Sequence, residues 1–392
     1  MEQKYDKWIE INLEDITHNL QEIRGLMDKE SRLIAVVKAN AYGLGAAEIA
    51  RHLAEQGVDF FGVTFLSEAL ELREHGIRAD ILIFSPLHPE EYGTAVDHDL
   101  IVTVASREDW LAVQQEARDR RIRIHLKLDT GMGRFGLMGY DAENVAQEAF
   151  VHNNVALEGI YTHFASPGDY KHTHHQFSIF ENLLQRLDEK GIKVACRHCC
   201  ASSAFLRYPS MRLDAVRIGT LLWGQYPAGT ISPVLKLRDV YHFKARIIAI
   251  RQMAKGSSLG YYHTHKLRKN AVIAIVPAGL ADGWGLEALP KPSGWLDMIK
   301  MVIKPIAMFF NLNLAGPRII IGNGEVFVRG KIFMQFCLVE VPPGMEVKTG
   351  DSVEIPVKRT LASLSIKRIY RQESSFASEK TANGITRNGI MY

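Results

Sequence analysis

Through the first ~220 residues, short apolar runs rich in β-branched residues alternate with stretches whose apolar positions recur at helical spacing. The runs are LIAVVK (33–38), FFGVTF (60–65), ILIFS (81–85), LIVTVA (100–105), RIHLKLD (123–129), LEGIYTHF (157–164), VACRHCC (194–200) and AVRIG (215–219). Between them lie helical patterns such as AAEIARHLAEQG, SEALELREHG, REDWLAVQQEARDR and FSIFENLLQRLDEKG. Continuous apolar strands separated by helix-length patterns predict parallel βαβ units covered on both faces. Eight such strands predict a closed (β/α)8 barrel of the TIM type rather than an open sheet. The last crossover is the weakest, because SSAFLRYPS has room for only a short helix.

After Gly224 the pattern changes. HFKARIIAI, AVIAIVP, EVFVRGKIF, QFCLVEV and SVEIPV read as strands, separated by turn signals such as PPG and TGD. The chain is therefore expected to divide into an α/β barrel over 1–230 and a mainly β C-terminal domain over 231–392, with the first ~10 residues able to pack against the second domain. One segment, SGWLDMIKMVIKPIAMFFNLNLAG (293–316), is rich in Met and Ile but broken by Lys300, Lys304 and Pro305. It predicts a buried or interface-packed helix kinked at Pro305, with a membrane-surface or partner-binding helix as the other reading. The polar stretch SSFASEKTANGITRNG predicts a mobile C-terminal end.

Composition narrows the class. The chain has 392 residues, 47% hydrophobic and 23% charged, with a net charge of +3. These are ordinary globular values, which exclude a disordered, collagen-like or disulfide-dense protein. The near-balanced charge argues against a dedicated nucleic-acid binder. Three of the four cysteines, Cys196, Cys199 and Cys200, lie within five residues, and Cys337 stands apart, a poor layout for a disulfide framework. The start MEQKYDKWIEINLED lacks the pattern of a signal peptide, and no run reaches the ~18 apolar residues of a membrane span. A reduced, cytoplasmic protein is expected.

In a barrel of this kind, polar side chains at the C-terminal ends of the strands read as catalytic. That rule selects Lys38 at the end of the first strand, Lys127 and Asp129 closing the fifth, and Arg134 just after it. It also selects His163 ending the sixth strand, Ser202 following the seventh, and Arg217 in the eighth, before Gly219 and Thr220. Several cations beside a glycine-containing turn suit an anionic phosphate group. A lysine at the end of an apolar strand loses hydration, which lowers its basicity and favours nucleophilic use, including Schiff-base formation with the carbonyl of pyridoxal phosphate (PLP). The same lysine could equally snorkel to solvent with no chemical task.

Two other motifs compete. GMGRFG (131–136) is a literal G-x-G-x-x-G, but it follows the fifth strand and no helix pattern resumes until after Gly139. A dinucleotide site needs strand, helix and a later acidic residue in place, so the match is weak. CRHCC (196–200) lacks a second cysteine pair nearby and reads as a core strand with small thiols. His172, His174 and His175 in YKHTHHQ read as solvated residues at a helix start. No metal is expected.

Taken together, AVVKANAYGLG, HLKLDTGMGRFGL, THFAS, SSAFLRYP, VRIGTLLWG and PAGLADGW resemble the alanine racemase family, in order and in approximate spacing across about 8–370. The resemblance implies a PLP-dependent barrel plus a β domain, acting on a small amino acid as a head-to-tail homodimer. It implies that Lys38 carries PLP and serves as one catalytic base. Tyr261, in LGYYHTHK, would be the second base and reach the partner subunit's site. Tyr42, Ser202, Gly219 and Thr220 would hold the phosphate. Arg134 would contact the phenolic oxygen of PLP and, with Met334, lie near the substrate. His163 would support Arg217, which would face the pyridine nitrogen. Lys127 matches a lysine that is often carbamylated in the family.

The chain departs from the family at four places. GLADG places Leu280 where the family has a tyrosine, and Leu364 aligns with a phosphate-contacting tyrosine. Met334-Gln335 replaces a Met-Asp pair, and 293–316 reads as an insertion of about two dozen residues. The expected activity is interconversion of L- and D-alanine by two bases. The departures leave room for another amino acid such as serine, or for a repurposed PLP-binding relative with another reaction or a non-catalytic role.

Overall fold

The computed structural model describes residues 5–227, 234–286, 294–295, 298–303 and 316–372. It divides into two compact units. Leu13–Val240 form one, and the first strand, β1 (Lys7–Asn12), belongs with the residues from Tyr241 onward in the other.

In the Leu13–Val240 unit, α1 (Leu13–Arg24) precedes β2 (Arg32–Val36), which is followed by α2 (Lys38–Gly43) and α3 (Ala46–Glu55). Then β3 (Phe60–Val63), β4 (Asp80–Ile83) and β5 (Ile101–Val104) alternate with α4 (Leu66–Glu74), α5 (Tyr92–Asp97) and α6 (Arg107–Glu116). The series continues through β6 (Ile122–Lys127), α7 (Gly139–Val151), β7 (Val155–Tyr161), α8 (Tyr170–Glu189), β8 (Cys196–His198), the short α9 (Ser202–Arg207) and β9 (Ala215–Ile218). Among the described residues these strands form one eight-stranded sheet in the order β8-β7-β6-β5-β4-β3-β2-β9. The sheet closes on itself, since Asp214 N donates to Arg197 O at 3.1 Å and Arg217 N to Cys200 O at 3.0 Å. A (β/α)8 barrel results, as the run-and-helix pattern predicts.

The apolar runs fill the barrel. Ile34, Phe60, Leu82, Ile101, Cys196 and Ala215 form one buried cluster with Phe84 packed against it. Above this layer the interior turns polar. A register shift at Ile124/His125 opens the β6–β7 ladder. Gly159 faces it, and a Cβ there would collide with the His125 ring. The missing side chain is what lets a histidine into the core. Two strands end earlier than their apolar runs suggest: β2 stops at Val36 and β7 at Tyr161. Lys38 therefore opens α2 and His163 lies on the loop beyond β7, because the backbone turns away before apolarity fades.

The other unit is mainly β. Its larger sheet runs β16-β15-β18-β10-β1-β19, where β10 is Tyr241–Arg246, β15 Arg318–Ile321, β16 Gly324–Phe327, β18 Ser352–Glu354 and β19 Arg368–Arg371. A smaller sheet joins β11 (Ala249–Met253), β14 (Ala271–Val276) and β17 (Cys337–Val341), and β12 (Ser258–Leu259) pairs with β13 (His265–Lys266). β1 lies between β10 and β19, and its buried Glu10 anchors it through Lys244 at 2.5 Å and Arg371 at 2.9 Å.

Within 293–316, the described stretch 298–303 is helical, and Met298, Ile299, Met301, Val302 and Ile303 are exposed. This corrects the expectation of burial within the chain. Apolar periodicity reports which residues avoid water, not what covers them. Pro305 and its expected kink lie outside the described residues, as does the tail beyond 372. Among the described residues no helix is long and apolar enough to cross a membrane.

Candidate active site

Lys38 leaves β2 on an unusual turn. Ala39, Asn40, Ala41 and Tyr42 all have φ between 50° and 57°, a left-handed run made entirely of non-glycine residues. Such a conformation costs about 1–2 kcal/mol per residue, so neighbouring contacts must hold it. They are present. Ala41 N donates to Val37 O at 2.7 Å and Gly45 N to Asn40 O at 3.0 Å. The Asn40 side chain accepts from Ala46 N at 2.7 Å, tying the turn to the start of α3. Ala39 N donates to the Glu68 carboxylate at 2.6 Å.

The turn aims Tyr42 at the end of the last barrel strand. A Cβ on Gly219 would lie 2.5 Å from the Tyr42 hydroxyl, so only glycine leaves space for it. Gly219 N in turn donates to Ser202 Oγ at 3.2 Å, and Thr220 follows directly. Three elements far apart in sequence thus converge on one small polar cradle.

Arg217 is buried and held by a dense set of acceptors. Its Nη2 donates to Thr162 O at 2.7 Å and Cys199 O at 3.0 Å, and meets His163 Nδ1 at 3.4 Å. Its Nη1 meets His198 Nδ1 at 2.6 Å, and His198 Nε2 meets His125 Nδ1 at 3.0 Å. Tyr161 stacks flat on His198 with ring centroids 4.7 Å apart, and its hydroxyl bonds Thr103 Oγ1 at 2.9 Å. His198 is thus engaged by a guanidinium, and the thiols of Cys199 and Cys200 donate to Met211 O at 3.0 Å and 3.2 Å. CRHCC serves the support of Arg217. Sequence reasoning missed His125 and Tyr161, whose only signal is a polar ring inside an otherwise apolar barrel strand.

Lys127, at the end of β6, is buried beneath Tyr161 and Phe135, with one long hydrogen bond, to Leu128 O at 3.3 Å. Burial, reinforced by Arg217 and Arg134, lowers its pKa to about 7. Lys38 is also pushed down, by burial first and then by Arg134 and Arg217, with Glu68 opposing. His163 falls to about 3 through burial and its cationic neighbours, so it is neutral. Arg134 is exposed and stacks over Phe135 at 4.8 Å. The GMGRFG loop that carries it is closed by Asp129, whose carboxylate accepts from the N–H groups of Gly131, Met132 and Gly133 at 2.8–3.2 Å. Those donors are already satisfied by an internal anion, which removes the dinucleotide reading of the motif.

The remaining expected residues lie in the other unit. Gly260 (φ 75°) turns the chain after β12, and Tyr261 follows, 65% exposed, with its ring 5.1 Å from Phe333. The GLADG loop docks on the same segment, with Leu280 N donating to Phe333 O at 3.0 Å and Ala281 N to Met334 O at 2.8 Å. Asp282 secures the loop by accepting from Gly279 N at 2.9 Å and pairing with Lys7 at 2.7 Å. Tyr261, Leu280 and Met334 are thereby gathered around residues 333–334. Leu364 and Gln335 are exposed.

A closed parallel barrel with a lysine of weakened basicity at its mouth, arginines nearby and a hydroxyl-lined glycine turn is the architecture of a (β/α)8 enzyme with its chemistry at the C-terminal ends of the strands. Comparison with known proteins is more specific. Residues 11–227 match the N-terminal domain of alanine racemase and residues 240–382 its C-terminal domain. The chain belongs to the alanine racemase family. It is 35% identical to alanine racemase from Desulforamulus reducens over 371 residues, covering 90% of this chain and 91% of that one. It is 36% identical to alanine racemase 1 from Oceanobacillus iheyensis, covering 71% and 76%. Among solved structures, alanine racemase from Clostridium difficile 630 superposes with a TM-score of 0.83 at 26% identity, covering 94% and 96%. That from E. faecalis gives 0.81 at 27%, covering 93% and 98%.

Proposed function

We propose that the protein interconverts L- and D-alanine using pyridoxal phosphate, as a head-to-tail homodimer in which each site takes Tyr261 from the partner subunit. The observation that carries this reading is the arrangement around Lys38: an amine of lowered pKa beside Arg134 and Arg217, with the same turn bringing Tyr42 to Gly219 and Ser202. The cradle fits a phosphate group, since it offers hydroxyls and a backbone turn that a β-carbon would fill. Tyr42, Ser202, Gly219 and Thr220 would hold the phosphate, Arg134 the phenolic oxygen, and Lys38 the carbonyl carbon.

When bound, pyridoxal phosphate withdraws electrons from a substrate amine and makes its α-proton acidic. Arg217 is permanently a donor, so it holds a ring nitrogen only as an unprotonated acceptor, which moderates that withdrawal. His163 and His198, both neutral, keep the guanidinium in place. Lys38 and Tyr261 would then exchange the α-proton on opposite faces, one removing and the other delivering. Inversion follows from two bases, and no serine nucleophile is required.

A second reading, preference for another amino acid, is supported by the joining of Leu280 and Met334 around 333–334, which makes this part of the unit more apolar than the family pattern. Incubation of the cofactor-loaded protein with a panel of L-amino acids in heavy water, followed by chiral mass spectrometry, tests both. Inverted alanine carrying α-deuterium is expected. Inversion of a different amino acid selects the second reading, and absence of exchange throughout the panel removes both.

A further inference from the structure

Glu68 lies in the first turn of α4, outside the set of residues assigned above. Its Oε2 accepts from Thr64 N at 2.7 Å and Phe65 N at 3.0 Å, which closes the loop that enters its own helix. Its Oε1 leaves that loop and accepts from Ala39 N at 2.6 Å, on the residue directly after Lys38. One carboxylate therefore fastens the β3–α4 loop to the first residue of the left-handed run. Charge-assisted bonds of this kind are about twice as strong as neutral ones. Among the described residues no other side chain hydrogen-bonds to Ala39 or Ala41.

We propose that Glu68 is a positioning residue for Lys38: its carboxylate latches the Ala39 amide, holds residues 39–42 in the left-handed conformation, and so fixes the amine and the Tyr42 hydroxyl together. The placement explains why alanines rather than glycines suffice in the run, since an external anion imposes the conformation that glycine adopts freely. It also explains the identity of the residue. A carboxylate accepts on both oxygens, whereas an amide accepts on one and donates on the other. In a Glu68→Gln variant the amide oxygen retains the two loop N–H groups, and the NH2 is left facing the Ala39 N–H. The helix entry survives and the latch is lost.

The proposal rests on the racemase reading for its catalytic readout, and it carries a second readout that does not. In the full-length protein without substrate, Glu68→Gln is expected to speed hydrogen exchange of the Ala41, Leu44 and Gly45 amides about tenfold while α6 amides are unchanged. With cofactor and alanine, kcat is expected to fall about tenfold or more with KM changed less than about threefold. Adding Ala39→Gly should recover most of both losses, because glycine takes the left-handed turn unaided. Unchanged exchange in Glu68→Gln, or a loss that Ala39→Gly does not repair, overturns the proposal. If the unaltered protein racemises nothing, the functional reading fails, and the exchange pattern alone decides the latch.

Discussion

Arg217 Nη1 sits 2.6 Å from His198 Nδ1, and that contact fixes where the imidazole proton resides. A guanidinium can only donate, so His198 accepts on Nδ1 and carries its proton on Nε2. The Nε2 proton then points at His125 Nδ1, 3.0 Å away. Two buried rings are thereby ordered in series by one cation. Replacing His198 with alanine removes an acceptor from a buried charge and leaves a cavity. An unfolding free energy lower by ~2–4 kcal/mol is expected in urea titration. A loss below ~0.5 kcal/mol would mean that the carbonyls alone hold Arg217.

The same rings predict an acid limit. Burial lowers His125 to about 3 and His198 well below its ordinary 6.5. Their unfolded forms take up protons that the folded forms refuse, so stability present above pH 6.5 is lost as pH falls toward 3. The expected slope is ~1.4 kcal/mol per pH unit for each histidine. Denaturant titrations from pH 7 to pH 4 should show it, and His125→Asn should flatten it.

Lys127 offers a second titration. With a pKa of about 7, a large fraction of its amine is free base at neutral pH. A buried free amine adds carbon dioxide, forming an N–C bond and releasing one proton. We expect a carbamate resonance by carbon NMR in labelled bicarbonate above pH 7, absent in Lys127→Met. Its absence from the unaltered protein would leave Lys127 a neutral amine.

Tyr261→Phe tests the two-base mechanism. Loss of a positioned acid–base group costs ~10²–10⁴ in rate. Racemisation should fall in that range while α-deuterium still enters one enantiomer in heavy water. Retention of full racemisation would remove Tyr261 from the mechanism.

Leu280→Tyr and Leu364→Tyr restore hydroxyls that the family pattern carries. Together they are expected to shift selectivity toward alanine and tighten cofactor binding, the latter by ~10- to 100-fold for one hydrogen bond to a charged group. Competition assays and cofactor titration provide the check. Unchanged selectivity and affinity would show that these leucines are neutral.

The barrel was readable because its strands are covered on both faces and therefore appear as unbroken apolar runs, as in LIAVVK and ILIFS. Lys38, Lys127 and Arg217 were readable because a cation interrupting such a run is conspicuous. The left-handed turn was not. Ala39 to Tyr42 contain nothing that announces positive φ, and the conformation depends on Glu68, 29 residues away from Ala39. His125 was hidden for a similar reason: its space comes from Gly159, on a neighbouring strand. In 298–303 the pattern gave apolarity correctly, yet these side chains are not covered within the chain, which leaves the interface-packed reading and not the buried one.

Asp129 fills its own loop with negative charge, and this gives the mouth of the barrel a polarity. The Gly131–Gly133 amides already serve that carboxylate, so a further anion at the barrel mouth would have to find its donors elsewhere. The amides of the Arg134 loop are bonded from within by one of the chain's own carboxylates. Loading therefore has one fewer segment to order, which reduces the entropic penalty of binding. A molecule carrying phosphates at both ends would find only one of them welcome.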